Sequence, residues 1–402
     1  MKKFMSVLAV VVLLASVVGC SKKPGGEMAG MACCAKAKAA GYTCPGCTKP
    51  VKGIKLGMPE LLTPPFGNSI NVPDGLALGP DNNLYLAVPN YADSTNNPSL
   101  KGKIMKITFA DDGTRKVELC AMLSPHPESG EVHPMGIEFG PDGNLYIADN
   151  QYFINSTNQS RVLRLNFEDG KPTTCDVVVT GTKLSNAIRW SGDNLFVSDT
   201  FFDIPDKKHQ SGIHRFTLAE LNEGTVALEL QGKDGVVNGT NSHLVAQFTG
   251  KDFGGDGETA GADGLAFDSK GNLFCSLFGD GQIFKVTFDE DGKGSQELVV
   301  DDPQIECGDG IYYDKKRDVI WVTNSKKNAL HILDPKDNSI GQVWENDDND
   351  GSTGLLDQPC EPIVRGDQLF IVSFDFADPG WGLKNQGPDE INTISVFDII
   401  TK

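Results

Sequence analysis

The chain has 402 residues, of which 39% are hydrophobic and 8% aromatic, and this is ample for a buried core. Asp and Glu number 54 against 36 Lys and Arg, which gives a formal net charge of −18 at pH 7. This excess of acidic residues argues against a nucleic-acid partner, because the phosphate backbone is bound mainly by Lys and Arg. The acidity alone is compatible with simple solubility or with cation binding.

Residues 1–20 have the pattern of an export signal. A positively charged start precedes an apolar run from Val7 to Val18, which is too short for a permanent transmembrane helix. The run leads into the sequence VVGC, ending at Cys20, which resembles the lipobox of bacterial lipoproteins. The resemblance implies that Cys20 is lipidated and anchors the protein in the bacterial cell envelope; an ordinary signal peptide with a chance Cys is the alternative. Ser21 after this Cys resembles an outer-membrane sorting signal. The anchored protein would then lie on either the periplasmic or the surface face of the outer membrane.

Residues 21–55 have a low hydrophobic content and are interpreted as a flexible tether. Cys44 and Cys47 have CxxC spacing, which suits a Zn or Cu thiolate site or a redox pair. Local disulfides of an oxidising compartment fit this segment equally well. No His follows Cys47, which excludes covalent haem attachment. The candidate metal ligands or disulfide partners are Cys33, Cys34, Cys44 and Cys47.

Residues 56–402 carry a unit that is repeated six times. In each unit an opening residue leads into a short apolar strand, a turn and a second apolar strand, as in the stretch from Gly261 to Val286. A strand-turn-strand repeat of roughly 50 residues is typical of propeller blades. The sequence therefore predicts an all-β, six-bladed β-propeller. The six opening residues are Asp74, Met135, Asn186, Asp263, Asp309 and Glu361.

The sixth unit contains only three predicted strands, which lie at Pro362–Val364, Gln368–Ser373 and Thr393–Ile399. We expect the region Leu61–Val72 to supply the missing strand, because pairing the two chain ends closes the ring and removes exposed sheet edges. In the third unit, Ile213–Leu218 is predicted as a strand.

Two cysteines, Cys307 and Cys360, each precede an opening residue on neighbouring blades. A disulfide between them is one hypothesis for an exported protein, and free buried thiols are the alternative.

The opening residues are expected to meet at one mouth of the central channel, because the first strand of each propeller blade runs along the axis. Four of the six are carboxylates, which would repel one another in a low-dielectric site unless a cation lies between them. Oxygen ligands favour Ca²⁺ or another hard divalent cation. His133, close to Met135, is a further candidate for the same mouth. The alternative is that an Asp or Asn before Gly simply caps the turn into the strand. The predicted metal ligands are Asp74, Asn186, Asp263, Asp309 and Glu361.

The repeats, their opening residues and the six-blade count resemble the senescence marker protein/gluconolactonase family, which is related to the paraoxonases. That resemblance implies a divalent metal, usually Ca²⁺, held by Asp74, Asn186 and Asp263, with Asp199 in support. The stretch from Val132 to Met135 departs from the family, which often has a substrate-orienting Asn there with an Arg nearby. The departure argues against a sugar lactone as substrate.

The predicted function is Ca²⁺-dependent hydrolysis of a lactone or ester. Ca²⁺ would polarise the carbonyl group, and a carboxylate at the mouth would accept a proton from the attacking water. The expected base is Asp263, then Asp309, then His133.

Side chains on the loops of the same face are expected to wall a substrate pocket, although loop packing is an equal alternative. They are Asn90, Tyr91, Tyr152, Phe202, Phe278 and Phe376. A non-catalytic propeller of the NHL type, serving as a binding or scaffold module for an envelope protein or polysaccharide, is the competing function. A metal-dependent sugar lyase is a third, and the protein is expected to be a monomer.

Overall fold

A computed structural model describes residues 51–67, 70–91, 101–154, 157–204, 207–228, 243–249, 261–375 and 392–401, with only the backbone for residues 202–204 and 207–209. No helix in this described part of the chain is long and apolar enough to cross a membrane. Several residues singled out in the sequence lie outside the description: Cys20, Cys33, Cys34, Cys44, Cys47, Phe376 and the side chain of Phe202.

The described strands form six antiparallel blades, so the predicted six-bladed β-propeller is confirmed. Two short strands, β1 (Lys55–Leu56) and β2 (Glu60–Leu61), precede the blades. From the channel outward, the first blade consists of β3 (Leu76–Leu78), β4 (Leu84–Val88), β5 (Lys103–Phe109) and β6 (Arg115–Met122), and the second of β7 (Pro134–Phe139), β8 (Leu145–Asp149), β9 (Ser160–Glu168) and β10 (Lys171–Thr182). The third blade consists of β11 (Ser185–Ser191), β12 (Asn194–Ile204), β13 (Lys207–Thr217) and β15 (Leu244–Thr249). Helix α1 (Leu218–Glu223) and strand β14 (Val226–Ala227) lie between β13 and β15 in the sequence.

The remaining blades follow the same order. The fourth blade consists of β16 (Ala262–Phe267), β17 (Leu273–Leu277), β18 (Ile283–Phe288) and β19 (Gly294–Val300). The fifth consists of β20 (Gly308–Asp314), β21 (Val319–Asn324), β22 (Ala329–Leu333) and β23 (Ile340–Glu345), with a 3₁₀ turn at Ser325–Lys327. The sixth consists of β24 (Pro359–Arg365), β25 (Gln368–Ser373) and β26 (Ile394–Ile400). The strand β14 extends the second blade by pairing with β10 in parallel.

The second strand of each blade is buried along nearly its whole length, because it lies between two neighbouring blades. This explains its continuous apolar runs, such as LYLAV in β4 and LFCSL in β17. The outer strand β6 instead alternates and is largely exposed. The six first strands contact one another in ring order, from β3 through β7, β11, β16, β20 and β24 back to β3. The molecule therefore has a central channel lined by these strands.

The chain ends close the ring, as predicted, but the pairing begins before Leu61–Val72 and includes only the start of that region, at Leu61, Leu62 and Phe66. Both β1 and β2 pair with β26 and complete the sixth blade from outside. Ile54 and Leu56 are buried in the hydrophobic cluster between the fifth and sixth blades, so packed structure begins ahead of the predicted start at Leu56. Most of the predicted closing region has a different role: Ile70 and Val72 fill the core between the sixth and first blades.

Two further expectations differ from the structure. The strand predicted to reach Leu218 ends at Thr217, whose side chain accepts a hydrogen bond from the Glu220 backbone N–H at 3.3 Å and begins α1. Cys307 and Cys360 are free thiols in the described structure, so the hypothesis of a disulfide between them is wrong. Both thiols are buried.

Candidate functional site at the channel mouth

The opening residues lie where the first strand of each blade is irregular. In the second to sixth blades the regular pairing with the second strand is interrupted at this point, for example between Ala262 and Leu265 around Asp263. Two residues in such a bulge oppose fewer partners, so the local twist re-aims a side chain. A repeated irregularity at one end of the channel thus sets the direction of the opening side chains in these five blades.

The glycines that follow four of the opening residues mark close contacts between neighbouring blades. A Cβ added to Gly136 would lie 2.5 Å from the Asn186 carbonyl oxygen, and one added to Gly264 would lie 2.5 Å from the Asp309 carbonyl oxygen. Both are distances that real Cβ atoms do not tolerate, so only Gly fits. The opening residue of one blade is therefore packed directly beside that of the next, and the Asp-Gly pairs are explained by packing around the axis.

Four carboxylates interact at this mouth. Burial raises the pKa of Asp74 well above its ordinary value, and repulsion by Asp309 and Glu361 raises it further. The pKa of Asp263 is also raised well above its ordinary value by burial, then by Asp309, Asp74 and Glu361. Burial raises the pKa of Asp309 to about 7. These side chains face a common space that concentrates negative charge.

Neighbouring polar groups hold two of the carboxylates. Asn186 forms a side-chain hydrogen bond with Asp263, which lowers the pKa of Asp263 and opposes part of the effect of burial. The Ser325 hydroxyl donates to Asp309 Oδ2 at 2.7 Å, and it also bonds to the Pro359 carbonyl oxygen at 2.7 Å. Asp309 is therefore fixed by a residue that is itself tied to the next blade.

One carboxylate, Glu361, has a cationic partner. The Arg189 guanidinium pairs with Glu361 Oε1 and lowers the Glu361 pKa, although burial leaves that pKa above its ordinary value. Asp74, Asp263 and Asp309 have no comparable cationic neighbour among the described side chains. The mouth consequently carries more buried acid than base.

The donor chemistry of this mouth suits a hard cation, but the described residues do not form a ready-made cage. Asp74, Asp263, Asp309 and the Asn186 amide offer oxygen atoms, which Ca²⁺ prefers. Within the described ranges, no three His, Cys, Asp or Glu side chains are placed to share one metal ion. The site thus fits a cation in charge and donor type, and small side-chain movements would be needed for coordination.

Three predicted residues are used in local structure. The Asp199 carboxylate accepts hydrogen bonds from the Lys183 and Leu184 backbone N–H groups at 3.0 and 2.7 Å. The Asn90 side chain accepts a hydrogen bond from the Asn71 backbone N–H at 3.0 Å and donates one to the Lys101 carbonyl oxygen at 3.0 Å. His133 is buried and stacks on Tyr91, with its Nδ1 3.2 Å from the Asn150 carbonyl oxygen. None of the three is among the groups that shift the pKa values of the carboxylates at the mouth.

Aromatic side chains continue from the carboxylates across the loops of the first two blades. The Asp74 carboxylate contributes to the raised pKa of Tyr91, after burial, so this ring is near the acidic group. Tyr91 meets the half-exposed Phe153 edge to face at 5.2 Å, and Phe153 meets Tyr152 at 5.8 Å. Tyr91 and Tyr152 therefore belong to one apolar wall, whereas Phe278 lies partly buried in the fourth blade.

Several residues of the site were not predicted from the sequence. Ser276 and Thr323 donate hydrogen bonds to carbonyl oxygens on the next blade, to Asp309 O at 2.5 Å and to Cys360 O at 2.6 Å. A signal was present, because a hydroxyl residue recurs at this position of the second strand in three consecutive repeats, with Ser198 as the first. Arg189 carried no such signal, since it has no counterpart in the other repeats.

The fold is similar to those of enzymes solved before. Matches include PQQ-bound aldose sugar dehydrogenase from Streptomyces coelicolor, with 17% identity, a TM-score of 0.52 and coverage of 88% of this chain and 100% of that one. A luciferin-regenerating enzyme matches with 10% identity, a TM-score of 0.51 and coverage of 85% and 94%. A gluconolactonase from Xanthomonas campestris matches with 12% identity, a TM-score of 0.47 and coverage of 88% and 100%.

These likenesses concern the fold alone. No family model matches the sequence, and no protein of curated function matches it. The six-bladed propeller that the repeats predicted is thus confirmed by the arrangement of the strands.

Proposed function

We propose that the channel mouth binds a divalent cation, with Ca²⁺ as the first choice, and that a lactone or ester is hydrolysed there. The observation that carries this proposal is the group of four interacting carboxylates, of which only Glu361 has a cationic partner among the described side chains. Keeping such groups charged and close together is costly in a low-dielectric site, and a bound cation offsets that cost.

Asp74, Asn186 and Asp263 would hold the cation, with Asp309 beside them. A divalent cation at this position would supply Lewis-acid polarisation of a carbonyl oxygen. The chain's own residues supply the proton acceptor. Asp309 is the best candidate, because it is close enough to repel Asp74 and Asp263 and Ser325 fixes one of its oxygens. Asp263, the first choice from the sequence, is better suited to the cation because it interacts with all three other carboxylates.

The aromatic wall supports a substrate with an apolar portion. Tyr91 lies next to the acidic group, and Phe153 extends the same surface towards solvent. An ester or lactone bound against these rings would place its polar carbonyl towards the carboxylates. The substrate is therefore proposed to be a small molecule.

The test is calcium titration by calorimetry of the chain from Ser21 onward. This fragment retains Ile54 and Leu56, which the core needs. Asp263→Asn and Asn186→Ala are expected to weaken binding at least tenfold. The control is Glu297→Gln, which removes a charge from the exposed outer strand of the fourth blade, to which Asp263 also belongs. This variant should bind Ca²⁺ as the wild type does. Tight binding that both mouth variants lose justifies a lactone and ester screen; no binding by the wild type rejects the metal-dependent hydrolase.

A binding or scaffold module for an envelope protein or polysaccharide is the second candidate. It is favoured by one observation, the lack of three preformed metal-ligating side chains within the described residues. It becomes the better account if the wild type binds no Ca²⁺ and hydrolyses neither lactones nor esters. Anchoring of the protein in the envelope through Cys20 is part of both proposals.

A further inference from the structure

Arg189 lies in the channel and reaches across it. It belongs to β11 of the third blade, three residues beyond the opening residue Asn186, and it is 9% exposed. Its guanidinium pairs with Glu361 of the sixth blade. Because the third and sixth blades are opposite each other in a ring of six, this ion pair spans the axis.

Several further contacts fix the guanidinium in place. Its Nη1 donates to the Ile188 carbonyl oxygen at 2.8 Å, and its Nη2 donates to the Ile311 carbonyl oxygen of the fifth blade at 3.3 Å. Glu138 of the second blade also attracts it, and Glu138 Oε2 accepts a hydrogen bond from the Trp190 backbone N–H at 2.5 Å. One buried cation thus joins groups from four of the six blades.

We infer that Arg189 is an internal counter-cation that closes the channel behind the acidic mouth and withdraws Glu361 from metal binding. The inference deepens the proposed function, on which its metal-binding part rests. It assigns cation coordination to Asp74, Asn186 and Asp263, leaves Asp309 beside them as the proton acceptor, and makes Glu361 a positioning residue. It also makes the mouth a blind cup, which a small molecule enters and leaves from one side.

The charges around Arg189 explain why the chain needs it. Burial and then Glu361 raise the pKa of Glu138, burial raises the pKa of Glu361, and the Arg189 charge lowers the pKa of both. A buried ion pair is costly to break one partner at a time, because the remaining charge stays desolvated. Removing Arg189 should therefore leave a vacancy for another cation, whereas removing both charges together should not.

The experiment compares Arg189→Met, the double variant Arg189→Met/Glu361→Gln and the control Arg161→Met, by thermal unfolding in chelator and in Ca²⁺. The control breaks another buried ion pair, between Arg161 and Asp149 of the second blade. In chelator, Arg189→Met and Arg161→Met are each expected to lower the melting temperature by on the order of 5–10 °C. The double variant should recover at least half of the loss.

Ca²⁺ should raise the melting temperature of Arg189→Met more than that of the wild type and should leave the loss in Arg161→Met uncorrected. Calorimetry on Arg189→Met should show one more bound Ca²⁺ than on the wild type. The inference is overturned if the double variant is no more stable than Arg189→Met in chelator, or if Ca²⁺ helps Arg189→Met no more than Arg161→Met. A wild type that binds no Ca²⁺ rejects the proposed hydrolase and the metal-binding part of the inference, whereas the stability of the double variant in chelator still decides whether Arg189 is the counter-cation of Glu361.

Discussion

At the scale of single residues, buried acid is the main feature of the channel. Glu138 lies beneath the mouth, where burial raises its pKa from 4.5 to about 7 and the Arg189 charge opposes this rise. A carboxyl group with this pKa holds its proton in the folded protein at a pH where the unfolded chain has released it. Its contribution to stability therefore depends on pH.

The sign follows from proton counting. Between about pH 4.5 and 7 the folded protein binds more protons than the unfolded chain, so the free energy of unfolding should fall as pH rises through this range. The contribution of Glu138 is at most about 3–4 kcal/mol, since its pKa rises from 4.5 to about 7 and one pKa unit corresponds to about 1.4 kcal/mol. Glu138→Gln should flatten the profile measured by chemical unfolding in chelator. Glu297→Gln is the control, and a slope equal in both variants would contradict the prediction.

At the scale of elements, the sequence predicted the parts of the fold that repeat. The second strands are continuous apolar runs because each is covered on both sides, and the turns before them carry Asp and Asn for a local reason. For example, Asp142 accepts from the Asn144 backbone N–H at 3.2 Å and from the Tyr146 hydroxyl at 3.0 Å. Such features recur in several blades, so the blade count and most strand positions could be predicted.

The parts that do not repeat were harder to predict. The two-residue strands β1 and β2 are too short for a period, so the closing segment was placed a few residues too late. The start of α1 did carry a signal, since Thr217 and Glu220 have the spacing of a capping box. At the site, the opening residues followed from the repeat, whereas the reach of Arg189 to Glu361 depends on side chains from opposite blades that no sequence pattern connects.

Because β1 closes the ring, we predict that truncating Leu56 and truncating Leu61 lower the free energy of unfolding by different amounts. Leu56 is fully buried in the cluster between the fifth and sixth blades, whereas Leu61 of β2 is only partly buried. Leu56→Ala should lower the free energy of unfolding by about 2–5 kcal/mol, because it leaves a cavity. Leu61→Ala should cost about 1 kcal/mol or less. Chemical denaturation measures both, and a loss from Leu61→Ala as large as that from Leu56→Ala would show that β1 is not the main closing contact.

At the scale of the whole molecule, the N-terminal segment and the acidic mouth lie on opposite faces. In the fifth blade, the first strand β20 starts at the mouth and ends at the β20–β21 turn on the opposite face. The β22–β23 turn lies on that opposite face too. Lys52 Nζ contacts one residue in each of these turns, Asp318 Oδ2 at 3.2 Å and Asp334 Oδ1 at 3.1 Å. The described chain therefore enters the propeller from the face away from the carboxylates.

This arrangement bears on the proposed lipid anchor. If Cys20 is lipidated, the described chain begins on the side of Lys52, which is the face opposite the carboxylates. Cys20→Ser should then move the protein from the membrane fraction to the soluble envelope fraction. Its Ca²⁺ affinity should stay within about twofold of that of the wild type, because the carboxylates are on the opposite face.

The location of the wild type and of Cys20→Ser is measured by cell fractionation and by detergent phase partitioning. Their Ca²⁺ affinity is measured by calorimetry. Cys120→Ser is the matched control, because it removes a partly buried thiol in the outer strand of the first blade and should leave the protein in the membrane fraction. Retention of Cys20→Ser on the membrane would contradict lipid anchoring at this residue. A large loss of Ca²⁺ affinity in Cys20→Ser would instead contradict the separation of the anchor from the mouth.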